Sequence, residues 1–261
     1  MGRTILITSG KGGVGKTTIT AGLAKALAQK NATICVVDGD FRLNNLDLLM
    51  GVENRVVYDI NDCMQGKCQI KQAIIKDDAF DNLYTMPAGK TFACTRVVDF
   101  CDIVKKLAGI FDFVLVDSPA GIDDGFAQCS RACFEALVIA TPHISSLRDA
   151  NKMLTLLSGD KSKSNIKVVV NRIRGDLVAE GAMMSHSDIK RLLNCKLAGV
   201  IPEDDNYNIT GTFCYSNNQN EFCSAFEALA ENIVCDTENV IDYSSKYKGF
   251  FGMIKRKFKR L

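Results

Sequence analysis

The chain has 261 residues, 47% hydrophobic and 24% charged, a balance that suits an α/β domain and excludes general disorder or a fibre. No apolar run approaches the ~20 residues that span a bilayer, and Met1–Thr8 reads as a first strand rather than a signal peptide, so a cytosolic protein is expected. The net charge of +2 hides an asymmetry: residues 248–261 hold six basic residues and no acid, leaving 26 basic against 30 acidic over 1–247. A mildly acidic body with a basic end implies one local attachment point, not broad nucleic-acid binding.

In chain order, β-branched and apolar runs predict strands at Thr4–Thr8, Ala32–Val37, Leu83–Met86, Phe113–Val116, Leu137–Thr141, Lys167–Val170 and Leu197–Ile201. Helical patterns fill gaps between them, as in Thr17–Gln29, Val97–Leu107, Leu147–Leu157 and Phe222–Val234. Strands that are apolar on both faces, alternating with helices, predict a doubly wound, mostly parallel α/β sheet. The polar stretch 236–249 reads as a linker, so the expected organisation is a domain over 1–235, a linker over 236–249 and a terminal element over 250–261.

The 11 cysteines are odd in number and form no Cys-x-x-Cys; the close pairs are Cys63 with Cys68 and Cys129 with Cys133. His143 and His186, the two histidines, lie at no zinc-site spacing from them, so the cysteines are expected to be reduced thiols serving as small apolar side chains.

The strongest signal is Gly10-Lys11-Gly12-Gly13-Val14-Gly15-Lys16-Thr17, which fits the phosphate-loop pattern G-x-x-x-x-G-K-[ST] between a predicted strand and a predicted helix. Glycines let backbone N–H groups approach phosphates, and the helix N-terminus adds partial positive charge. Lys16 would reach the β- and γ-phosphates and the Thr17 hydroxyl would bind Mg²⁺. Phe113–Asp117 has the form of a Walker B strand ending in a metal-side acid, and Asp38 and Asp40 close the second strand, where α/β ligands bind.

The additional Lys11 in Lys-Gly-Gly-Val-Gly-Lys-Thr-Thr makes this loop resemble the deviant Walker A motif of the MinD/ParA ATPases. Further segments, among them Phe41–Gly51, Asp117–Ile122 and Gly199–Asp204, resemble the MinD branch of that family, involved in division-site selection. The resemblance implies an ATPase using ATP and Mg²⁺, with Lys11 crossing a homodimer interface to the partner's nucleotide. It implies that Gly12, Gly13, Val14, Gly15, Lys16, Thr17 and Thr18 bind the nucleotide. Asp40 would be the switch acid near the attacking water, Asn45 part of the switch, and Asp38, Asp117 and Thr17 the metal side. Asn171, Arg172, Pro202, Glu203 and Asp204 fall where the family contacts adenine, and Asp149 matches a partner-binding position. MinC-like and MinE-like partners are implied. Arg42 and Asn44 depart from the usual Gly and Arg, and Tyr207–Phe222 lacks a Gly-Glu-Pro stretch common in the branch.

At the chain's end, Phe250, Phe251, Ile254, Phe258 and Leu261 fall within about 100° of a helical wheel, with Lys255, Arg256, Lys259 and Arg260 outside that arc. This is the pattern of an interfacial helix drawn to anionic lipid, so a cytoplasmic protein held peripherally on the inner face of the cell membrane is expected. The alternative is a ParA-type ATPase for chromosome, plasmid or other cargo positioning, which would need a basic DNA-binding surface. A further alternative, an iron–sulfur protein of the same fold, would call on Cys94 and Cys129.

Overall fold

The computed structural model describes residues 1–41, 45–89, 97–205, 207, 221–249 and 252. Its centre is a sheet whose chain-order elements are β1 Arg3–Thr8, β2 Ile34–Asp38, β3 Ile75–Lys76, β4 Leu83–Met86, β5 Phe113–Asp117, β6 Glu135–Ala140, β7 Asn165–Ile173 and β8 Lys196–Pro202. Their spatial order is β3-β4-β2-β5-β1-β6-β7-β8. Every pairing is parallel except β3 with β4, which is antiparallel. β2 and β5 are buried at every position, because helices cover both faces of a parallel sheet and leave no solvent side for alternation. The expected doubly wound fold is what the chain adopts.

The helices are α1 Lys16–Gln29, α2 Leu46–Met50, α3 Ile60–Met64, α4 Ile70–Ala73, α5 Phe100–Ala108, α6 Asp124–Ala132, α7 Ile144–Ser158, α8 Gly175–Ala179, α9 His186–Leu193 and α10 Glu221–Val234. α1 packs with α10, and α5 with α6, while β1 touches α1, α5 and α6. Gly22 lets α1 and α10 meet closely, since a Cβ there would lie 2.4 Å from the Phe226 ring. Side-chain caps set several of the starts: Asp99 accepts from Cys101 N at 3.0 Å ahead of α5, and Ser185 and Asp188 form a capping box on α9.

Residues 236–249, read from sequence as a linker, are fastened along the body. Lys167, a buried side chain, pairs with Asp236 at 2.7 Å. Buried Asn232 donates to the carbonyls of Ala198 (2.9 Å) and Asn239 (2.8 Å) and accepts from Thr237 and the Asn239 N–H. Part of the polarity in this segment therefore serves hydrogen bonding and ion pairing to the body.

The order of strands puts the site where it is. From β1 the chain proceeds to β2 on one side, and from β5 it crosses back over β1 to β6 on the other. The carboxyl ends at this reversal form the crevice in which α/β proteins bind ligands.

Candidate functional site

A cleft of about 550 Å³ opens there, lined by Gly12–Gly13, Gly15–Thr18, Asp38, Asp40, Asn45, Asp117 and Arg172, among others. The loop joining β1 to α1 turns through Gly13 (φ 78°) and Gly15 (φ 93°), conformations that a side chain would strain. A Cβ on Gly12 or Gly13 would meet nothing within 4 Å, so their backbone faces open space that a phosphate chain can occupy. Gly10 is different: a Cβ there would lie 2.6 Å from Asp149, so α7 buttresses the loop from behind.

β2 and β5 pair in register, Asp38 beside Asp117, which sets two buried carboxylates side by side under the loop. Burial is the main cause that pushes Asp117 up to about 6; hydrogen bonding from Thr17 and the charge of Lys16 oppose it. Burial, and then Asp117 itself, hold the Asp38 carboxyl well above the usual carboxylate range. Asp38 also accepts from the backbone N–H of Asp40 (2.9 Å) and Leu46 (3.4 Å), so it shapes the segment that carries Asp40 and Asn45. Two crowded carboxylates and the Thr17 hydroxyl are hard oxygen donors short of positive charge, a set that fits Mg²⁺. No cluster of three or more His, Cys, Asp or Glu suited to a metal occurs among the described residues; phosphate oxygens and water are the usual remaining ligands.

Lys16 lines the cleft and Lys11 does not. Lys11 is exposed, its Nζ 3.4 Å from the Ser145 hydroxyl. Ile122 and Ile144 are 70% and 72% exposed, one just beyond the β5 end and the other opening α7.

The residues expected at the base come together in a second, narrower recess: Asn171, Arg172, Pro202, Glu203 and Asp204 line it with Gly15 and Thr18. The register of β7 with β8 breaks between Val170 and Ile173, and Arg172 sits in that break at φ 59°. Such bulges re-aim side chains beside functional sites. Asn171 is spent on bracing the loop: it is buried, its amide donates to Val14 O at 2.8 Å, and its Nδ2 occupies the space a Cβ on Gly15 would need. Sequence reasoning missed Tyr207, whose hydroxyl lies 3.2 Å from that of Thr18 and whose ring packs on Phe222 at 5.0 Å, closing the recess. An aromatic residue just after Pro202–Asp204 was the available signal. Arg42, Asn44 and the tail residues Phe250, Phe251, Ile254, Phe258 and Leu261 lie outside the described residues.

The described cysteines are free thiols. Cys129, buried, points its Sγ at Gly39 O; Cys94 lies outside the described residues. No helix among the described residues is long and apolar enough to cross a membrane.

Comparison with known proteins agrees with this geometry. The CobQ/CobB/MinD/ParA nucleotide binding domain matches residues 5–211. The septum site-determining protein MinD of Bacillus subtilis is 38% identical over 264 residues, spanning 99% of this chain and 98% of that protein. Among solved structures, the MinC:MinD cell division protein complex of Aquifex aeolicus aligns at a TM-score of 0.82 and 36% identity, covering 92% of this chain and 98% of that one. The Pyrococcus horikoshii septum site-determining protein MinD, complexed with Mg-ADP, aligns at 0.77 and 29% identity over 89% and 96% of the two chains. Identity at this level over nearly the full length leaves one placement: the chain belongs to the CobQ/CobB/MinD/ParA nucleotide binding family of P-loop ATPases, on its MinD branch.

Proposed function

We propose that the protein is a Mg²⁺-dependent ATPase that dimerises on binding ATP. In that state it attaches peripherally to the inner face of the cell membrane and regulates septum placement with MinC- and MinE-like partners. The observation that carries the reading is the division of labour between two lysines in one loop, Lys16 in the cleft and Lys11 outside it. A lysine fixed to the phosphate loop but directed away from its own cleft suits a second subunit's nucleotide. The Aquifex complex, by its name, supports a MinC-like partner.

Within one subunit, loop N–H groups from Gly12 to Thr18 would hold the phosphates and Lys16 would neutralise the β- and γ-oxygens. Thr17, Asp117 and Asp38 form the metal side, and Asp40 orients the attacking water. Bound Mg²⁺-ATP supplies the anhydride to be cleaved and the cation that balances the carboxylates. Arg172, Pro202, Glu203 and Asp204, with Asn171 behind them, would position the base. Residues 1–235 act as the ATPase domain, 236–249 carry the chain to its end, and 250–261 form the membrane helix.

Energetics make attachment conditional. Each buried Phe or Ile contributes ~1.5–3 kcal/mol and each basic residue near anionic lipid ~1 kcal/mol, while ordering the helix costs ~1–2 kcal/mol per residue. One tail binds weakly; two on a dimer gain effective concentration. Sedimentation with anionic liposomes in ATP, ADP or no nucleotide, with phosphate release measured in parallel, tests the proposal. Co-sedimentation is expected with ATP alone; equal sedimentation in all three states would overturn it.

A further inference from the structure

The pair Cys63 and Cys68 has no part in the nucleotide site. Cys63 closes α3 and is 4% exposed; Cys68 is half-buried, just beyond the turn at Gly66, where φ is 73°. The left-handed Gly66 and two backbone bonds, Gly66 N to Cys63 O at 3.1 Å and Lys67 N to Asp62 O at 2.9 Å, fold the chain back so that the two Sγ atoms lie 3.3 Å apart. A disulfide needs about 2 Å, so a small rotation of side chains separates the thiols from a bond. Beside them opens a cavity of about 590 Å³, lined by both cysteines, Lys71 and Lys106, with apolar walls from Val98 and Ile110 and no carboxylate among its described lining residues.

We propose that Cys63 and Cys68 form a thiol–disulfide exchange site whose substrate is an anionic low-molecular-weight disulfide, seated in this cavity against Lys71 and Lys106. Cys68 is the attacking group: it is the more exposed, and the hydrogen bond with Cys63 favours its thiolate, although burial and the nearby Asp62 and Asp59 hold that thiol above its ordinary value. Burial and the same bond push Cys63 up to about 12, keeping it protonated as the donor. The Cys68 thiolate attacks one sulfur of the substrate, forming a mixed disulfide and releasing one small thiolate, which takes up a proton. Cys63 then gives up its proton and attacks Cys68 Sγ, forming the Cys63–Cys68 bond and releasing the second small thiol. The two cysteines are oxidised and one substrate disulfide is reduced to two thiols, so the exchange balances.

The bond would tie the end of α3 to the start of α4. α3 is a platform: its Ile60 N–H donates to Pro87 O at 3.1 Å, and Met64 O accepts from the N–H groups of Val97 (2.8 Å) and Val98 (3.0 Å). Fixing its C-terminal end would stiffen the support on which both segments rest. The proposal stands apart from the nucleotide reading, because it uses none of the cleft residues.

The test begins with fully reduced, full-length protein and either glutathione disulfide, which is anionic, or cystamine, which is cationic. Trypsin cuts after Arg55, Lys67 and Lys71, so peptides 56–67 and 68–71 separate when the thiols are free and stay joined when they are bonded. Unreduced mass spectrometry is expected to find them joined, and to find the reaction several-fold faster with glutathione disulfide. Replacing Lys71 and Lys106 by Gln should erase that preference. Cys63→Ala should trap a glutathione adduct on Cys68, and Cys68→Ala should leave Cys63 unmodified. Separate peptides in the wild type, or equal rates with the two reagents, would overturn the proposal; exposed Cys235 serves as the internal control for reagent activity.

Discussion

At the scale of residues, the site is a problem in charge. Asp38 and Asp117 are neighbours across two strands and both are buried, which is costly for carboxylates unless a cation joins them. Lys16→Ala removes the nearest cation and the γ-phosphate contact together, and nucleotide binding should fall below detection by equilibrium dialysis. Asp40→Ala leaves the cradle intact, so ATP should still bind while phosphate release slows by ~10²-fold or more. Hydrolysis by Asp40→Ala at the wild-type rate would remove Asp40 from the mechanism. Asp117 also predicts a stability effect. In the nucleotide-free fold its carboxyl titrates near 6 against 3.8 as a free group, so the folded state binds the proton more tightly than the unfolded one. Its ionised form therefore destabilises the fold above that range, by on the order of 2–3 kcal/mol, and the loss disappears as pH falls through 6 towards 4. Asp117→Asn should melt at a higher temperature than wild type near neutral pH without nucleotide, and the difference should shrink in mild acid. A lower melting temperature at neutral pH would show that the Thr17 hydrogen bond and the Lys16 charge outweigh the cost of burying the ionised carboxylate.

At the scale of elements, what the sequence showed and what it hid have different physical causes. β1, β2, β4 and β5 were readable because a strand buried on both faces needs an apolar run, and α1 because the phosphate loop must open onto a helix. The two-residue β3 and the short α2, α3, α4 and α8 carry no period long enough to see; tertiary contacts hold them, with capping boxes at α3 and α4. The same limit applies to the site. The loop and the acids ending β2 and β5 are local in sequence, whereas the use of Asn171 as a brace and the placing of Tyr207 on Thr18 depend on β7, β8 and α1 meeting. Asn232 is the sharpest case. In sequence it is one of several polar residues in α10, beside Glu231; in the fold it is the buried one that joins α10, β8 and the segment after α10 through four hydrogen bonds. Asn232→Ala leaves buried donors and acceptors without partners and should cost roughly 2–4 kcal/mol, read as a lower urea midpoint. Proteolysis near 237–239 should also accelerate, since Asn232 is the buried anchor of that stretch and its other ties, Lys167–Asp236 and Lys190–Glu238, are ion pairs with exposed or half-exposed carboxylates. A variant as stable as wild type would mean the segment is held elsewhere.

At the scale of the whole molecule, the question is how a mildly acidic body with six basic residues and no acid over 248–261 would reach a membrane only on demand, as proposed. The cleft and the tail are far apart in the sequence. The proposed dimer would connect them, because it would double the number of tails without altering either. Lys11 is the residue that separates these cases: it is exposed and outside its own cleft, so its loss should spare nucleotide binding in the monomer. Lys11→Ala should bind ATP with an affinity within a few-fold of wild type, yet remain monomeric with a non-hydrolysable ATP analogue in analytical ultracentrifugation. With its tail untouched, it should also sediment poorly with anionic liposomes. Removal of 250–261 should give the complementary result, an ATP-dependent dimer that does not sediment. Phe258→Glu, which places a carboxylate within the apolar arc, should behave like the truncation, while Lys259→Ala should only weaken binding and reduce its dependence on anionic lipid. If monomeric Lys11→Ala sediments as well as the ATP-bound wild type, attachment is constitutive, and the energy of ATP binding must be directed to a partner protein instead of to the membrane.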